Sequence, residues 1–228
     1  MDGALAAIEI SLWVLCALLG ILFARSLGKY ARHRSRVELM WGGGLALAAA
    51  AMAVEGIVFA GFVSSGLLQA YVFFSAAIVG VLSLGATRVL RSPRLERGYT
   101  AWVAASCTLV AVASLLTPLP DSMVAHGIIA GNPPLLLIVL STLVTGPATV
   151  LLLTASAVSL RRSRRWQNLL MIAGALILGA GGTLYIASFP VALYYAEFVG
   201  IVLLFGGLVS MPNVSPSRSS VPASVSTP

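Results

Sequence analysis

Three acidic residues stand where a carboxylate is costly. Glu9, Glu55 and Glu197 each fall inside a long run of apolar residues, and an ionisable side chain at membrane depth is expensive and tends to be kept for a purpose. At a rise of 1.5 Å per residue, each lies roughly 8 to 10 Å below the same end of its apolar run. A common depth permits a common site. Carboxylates brought together in a low-dielectric site cannot all be ionised, so a proton or a cation would be held among them. Tyr71, Tyr194 and Tyr195 lie near the same level and can supply hydroxyls around such a ligand. The alternative for the same residues is three separate carboxylates, snorkelling to the interface or protonated.

Other chemistries lack their residues. The chain has no HExxH, no GxSxG and no phosphate-binding Gly-Lys loop. No histidine falls inside an apolar run, so haem ligation by paired intramembrane histidines is excluded. His126 stands between two runs and could join the carboxylates, but no metal-ligand spacing is present. Neither enzyme activity, a cofactor nor a bound metal is expected. Cys16 and Cys107 sit singly in apolar surroundings as small packing residues.

The elements that must position these residues follow from composition. Of 228 residues, 59% are hydrophobic and 9% charged, against about 25% charged in a soluble domain. So few charges cannot clothe a water-facing surface, and the expected solvent is lipid. A spanning helix needs about 20 apolar residues, and seven segments qualify: 4–24, 39–61, 67–87, 100–117, 134–158, 166–187 and 190–211. Pro190 separates the last two. The fold class expected is all-α, a polytopic bundle of seven transmembrane helices.

Orientation is set by the 14 basic residues. Arg25, Lys29, Arg32, Arg34 and Arg36 follow the first segment, Arg88, Arg91, Arg94 and Arg97 the third, and Arg161, Arg162, Arg164 and Arg165 the fifth, with Arg218 after the seventh. All fall in alternate connections, which the positive-inside rule assigns to the cytoplasm. The N-terminus is then outside, the C-terminus cytoplasmic, and the protein multi-pass in the plasma membrane. Basic residues follow the first apolar run and do not precede it, so the N-terminus reads as a signal-anchor and not as a cleaved signal peptide. The pI near 10.1 reflects these clusters and implies no nucleic acid.

The division expected is a transmembrane domain over 1–211 and a disordered Ser/Pro-rich cytoplasmic tail over 212–228. The connection around 118–133 is the longest on the outer side, and its Met123–Ile129 stretch is expected to form a short interfacial helix. Gly146-Pro147 is a candidate hinge, because the proline removes a helical donor. Small residues such as Gly42-Gly43-Gly44 allow close helix approach, within the bundle or across a homo-oligomer. Phe73–Gly80 and Leu193–Gly200 share an aromatic-aromatic-small-Val-Gly order, which fits a three-plus-one-plus-three repeat.

Seven helices with that repeat and an outside N-terminus are similar to the transporter–opsin group of membrane proteins. Ala196-Glu197-Phe198-Val199-Gly200 resembles, over one helical turn, the retinal helix of microbial rhodopsins, with Glu197 where the lysine would stand. The sole lysine, Lys29, is in a connection, and paired Pro-Gln motifs of the carriers are absent. The resemblance therefore implies the topology without covalent retinal. Three roles follow as expectations: a small carrier or ion/proton-coupled transporter with an outward-facing carboxylate cluster; a receptor-like sensory domain signalling through a separate membrane partner; or a structural or assembly subunit. The partners expected are the lipid bilayer, a small-molecule or cation ligand, and another membrane protein or a second copy.

The topology has a direct test. Reporter fusions at Ser64 and Ser217 should report opposite compartments, with Ser64 outside; a shared compartment rejects the seven-span reading.

Overall fold

A computed structural model describes residues 2–34, 36–87, 90, 92–125, 127–129, 131–163, 167, 169–170, 172–174, 176–177 and 190–209. Within them the chain forms helices α1 (Asp2–His33), α2 (Arg36–Phe59), α3 (Ser65–Thr87), α4 (Pro93–Leu116) and α5 (Leu135–Ser163), and a C-terminal helix, Pro190–Val209. Between α4 and α5 lie a 3-10 turn, Asp121–Met123, and two short strands, β1 (Val124–Ala125) and β2 (Ile128–Ile129). Among the described residues, α1 to α5 each contain a stretch long and apolar enough to cross a membrane, and the C-terminal helix holds a shorter one, Phe198–Gly207. Most of the expected sixth segment, 166–187, and the tail from 210 onward lie outside the described residues.

At ends that carry basic residues, several helices run past the apolar boundaries. α1 runs to His33 and α4 begins at Pro93, where apolarity alone placed the boundaries at 24 and 100. Helical hydrogen bonding does not stop where apolarity stops. The 32 residues of α1 span about 48 Å, more than the roughly 30 Å of a hydrocarbon core, so Arg25, Lys29 and Arg32 ride on the helix beyond it. At α4 the signal is local: the Ser92 side chain accepts a hydrogen bond from Leu95 N and Pro93 occupies the first turn, both good helix starts.

α3 is the hub, packing against α2, α4 and α5, while α1 packs on α2. Close approach between α2 and α3 depends on glycine. A Cβ on Gly85 would overlap the Trp41 indole, and one on Gly44 would overlap Leu82. Gly56 likewise faces Trp13 of α1, and Gly80 faces Val103 of α4 and Val144 of α5. These small residues are consumed inside the bundle. Described residues of the sixth segment reach the C-terminal helix in the same way, since Gly174 packs on the backbone of Gly200 and Leu204. The C-terminal helix in turn sets Ile201, Leu204 and Phe205 in one apolar cluster with Leu12, Leu15 and Leu19 of α1.

Polar side chains inside the helices mostly serve their own backbone. The hydroxyls of Thr87, Thr100, Ser106, Thr108, Thr142, Thr145 and Thr154 each donate to a carbonyl three or four residues earlier, at 2.7 to 3.0 Å. This keeps the hydroxyls satisfied where no water competes.

Pro147 does not break α5, which is one helix over Leu135–Ser163. A proline at this position leaves the carbonyl four residues earlier, that of Leu143, without its helical donor. Trp102 of α4 supplies one: its Nε1 donates to Leu143 O at 3.3 Å. The indole is 46% exposed on the outside of the bundle, so in a membrane this bond faces lipid. Trp102→Phe should therefore cost about 1 kcal/mol, the usual net value of such a bond, in denaturant titrations in mixed micelles. In a Pro147→Ala background, the backbone N–H restored at that position can reclaim the Leu143 carbonyl, and the same substitution should be close to neutral. Equal losses in both backgrounds would mean that the indole acts by packing alone.

Candidate functional site

The connection from α4 to α5 builds a cap on one end of the bundle. It does not form the interfacial helix expected over Met123–Ile129. Instead β1 and β2 pair antiparallel, Val124 with Ile129 and Ala125 with Ile128. Gly127, at φ +77°, makes the reversal that an ordinary L-residue would resist. The β-branched Val124, Ile128 and Ile129 on either side favour extended backbone. In a helix the consecutive isoleucines would stand about 100° apart, whereas in the hairpin they alternate to opposite faces.

Ile128 joins the cluster of Leu12, Met52 and Ile201. Ile129 joins that of Val54, Val58, Leu68, Tyr71 and Leu137. Leu119 and Met123 from the same connection are buried in the second cluster. Tethers to α3 hold the cap in place: Leu119 N donates to Ser65 Oγ at 3.1 Å, and Gln69 Nε2 donates to Thr117 O at 3.0 Å. Within the connection, Gly131 N donates to Met123 O at 2.9 Å.

Below the cap is Glu55. α2 ends in a Schellman arrangement, with Gly61 N donating to Val58 O at 3.0 Å and Phe62 N to Ile57 O at 3.2 Å, and Gly61 at φ +94°. Gly127 lies against the Phe59 backbone in that last turn. Glu55 is one turn further in and 1% exposed, the most deeply buried acidic side chain among the described residues. Its Oε2 is sealed from solvent, and the residue is engaged in an interaction within the protein. Its neighbours on α2 divide between two apolar clusters, Met52 joining that of Leu12 and Val54 and Val58 the other, and β2 contributes one isoleucine to each.

The six residues expected to form a binding site are distributed as follows. Tyr71 is buried in the cluster of Val54 and Val58. The antiparallel register of α2 and α3, fixed by Trp41 against Gly85 and Leu82 against Gly44, places Tyr71 at the level of Glu55. Glu9 is exposed on α1. The α1–α2 register, with Trp13 against Gly56 and Cys16 Sγ donating to Ala49 O at 3.6 Å, sets Glu9 less than a turn nearer the capped end than Glu55. Tyr195 is 53% exposed on the C-terminal helix. The side chains of Glu197 and Tyr194 lie outside the described residues, although the backbone of Glu197 is one turn from Ile201. His126 also lies outside them. Of the two hinge candidates, Gly146 has open space where a Cβ would be, and Pro147 is exposed. Among the described residues no three His, Cys, Asp or Glu side chains gather as a metal site would require.

The residues that sequence reasoning missed are those of the cap. Ile128 and Ile129 carry no chemistry, and the stretch that holds them reads as a short interfacial helix and not as a hairpin. The signal available was a glycine at Gly127 between short stretches holding the β-branched Val124, Ile128 and Ile129. The five spanning-length helices, the glycine-mediated packing and the buried carboxyl have the build of an integral membrane protein. No family model matches the chain, and neither a curated protein nor a solved structure matches it significantly.

The cap has its own test. Gly127→Ala should destabilise the protein by about 1–2 kcal/mol, because the left-handed backbone strains any side chain and the new methyl would press on Phe59 O at 3.2 Å. Thermal unfolding in detergent reads this; an unchanged midpoint would show that the turn is not fixed in that conformation.

Proposed function

We propose that the protein is a seven-span plasma-membrane carrier, outside N-terminus and cytoplasmic C-terminus, in which Glu55 holds a proton or cation that couples to movement of a small solute. The observation that carries this reading is a carboxyl 1% exposed within a spanning helix. Burying a charge costs several kcal/mol unless something neutralises it, and a carboxyl that served only packing would be replaced by glutamine or leucine without loss. Supporting this, a second buried polar side chain, Tyr71, stands at the same level on the neighbouring helix. The basic residues at the opposite ends of α1, α4 and α5 agree with the orientation. Glu197, on the C-terminal helix, is the residue we assign to complete the site. The exposed Glu9 is assigned a place at its rim.

Purified protein in detergent tests this without a known solute. If a proton is held, infrared difference spectra across a pH titration should show a protonated-carboxyl band in wild type and in Glu9→Gln that is absent from Glu55→Gln. If a cation is held, sodium against choline at equal ionic strength should raise the unfolding midpoint in the first two proteins and not in the third, since a ligand of the folded state alone stabilises it by mass action. Absence of both responses in wild type rejects the reading.

A further inference from the structure

The cap does more than end the bundle: its apolar side chains join both of the clusters to which the α2 neighbours of Glu55 belong. Ile128 and Ile129, consecutive in β2, enter the clusters of Met52 and of Val54 and Val58, the residues that neighbour Glu55 on α2. Gly127 rests on the Phe59 backbone, directly over the last turn of α2. Val58, between Phe59 and Glu55, is fully buried. Along α2, the hairpin, Phe59 and the buried Val58 thus lie between the capped face and Glu55.

The attachment of this plug differs from that of the helices. The hairpin has two residue pairs, and a hairpin of this size has little stability of its own. It is held by side-chain insertion and by tethers at its flanks, from Leu119 N to Ser65 Oγ and from Gln69 Nε2 to Thr117 O. Withdrawing β2 exposes two isoleucines and breaks no helix. Local opening is most accessible in short elements held by few ladder bonds.

We infer that the β1–β2 hairpin is the outer gate of the Glu55 site. It isolates the carboxyl from the outer aqueous phase when seated and admits a proton, cation or solute when β2 withdraws. This deepens the proposed carrier function and rests on its orientation, but its test reads access and not transport.

Full-length protein carrying Val58→Cys in a Cys16→Ser, Cys107→Ser background is exposed, in intact cells, to a membrane-impermeant maleimide. Ser64→Cys, on the exposed turn after α2, serves as the control. With the hairpin intact, position 58 should react far more slowly than position 64. Ile129→Ala, which removes buried methyl groups from the plug, should accelerate labelling of position 58 by about tenfold or more and leave position 64 unchanged. Equal reactivity of positions 58 and 64 behind the intact hairpin overturns the gate, as does an Ile129→Ala rate equal to that of the intact hairpin. Should Ile129→Ala fold poorly, hydrogen exchange on the wild-type chain decides: the gate requires the Gly131 amide to exchange faster than the amides of Val72 and Ala76 in α3, and equal protection overturns it. Labelling that responds to the hairpin in a protein with no proton or cation response leaves the gate standing and the carrier reading rejected. A Glu55-dependent proton or cation response with labelling indifferent to the hairpin gives the reverse.

Discussion

In a lipid environment every backbone N–H and C=O must find a partner within the protein, because no water is available to take its place. The described structure follows from that constraint. It makes long helices the dominant element. It turns the hydroxyls of α3, α4 and α5 back onto carbonyls of their own turns, and it explains the Trp102–Leu143 bond, which repairs the helical carbonyl that Pro147 leaves open. Where the chain departs from helix, between α4 and α5, it pairs strands and uses Ser65 and Gln69 as side-chain partners for the loop backbone.

The same constraint shapes what holds the helices together. Lipid offers no hydrophobic penalty for exposing leucine, and large apolar side chains such as Leu115, Leu116 and Leu135 accordingly lie on the outside. Association must come from close packing. Glycines at Gly44, Gly80 and Gly85 receive a leucine, valines and a tryptophan from neighbouring helices, which seats α3 between α2, α4 and α5. A rigid hub of this kind fixes the level of Tyr71 relative to Glu55.

Against that background Glu55 is an exception. The other buried side chains among the described residues are apolar or carry a hydroxyl or phenol, groups that are cheaper to desolvate than a carboxylate. Its position under a small apolar hairpin, and not among the basic residues of the opposite end, gives the protein two chemically distinct faces. One end carries the arginines on helices that run past the apolar core. The other carries no lysine or arginine and is closed by Leu119, Met123, Ile128 and Ile129.

Composition and the length of the apolar runs dictate a lipid solvent, the helical class and most of the helix cores. Apolar runs of spanning length leave little choice of structure in lipid, so the helices among the described residues appear where hydropathy puts them. The true helix ends at His33 and Pro93 were less legible, because backbone hydrogen bonding and the Ser92 cap continue through polar residues. Depth could also be read, since rise per residue is fixed, and it set Glu9, Glu55 and Glu197 at one level without distinguishing among them. Which way a residue faces was decided only by tertiary packing. Glu9 and Glu55 lie at nearly the same depth, yet one is exposed and the other sealed, because helix rotation is set by neighbours such as Trp13 against Gly56. The hairpin, too, was decided by tertiary structure: Met123–Ile129 is compatible locally with helix or strand, and the two clusters that receive Ile128 and Ile129 exist only once α1, α2 and α3 have assembled.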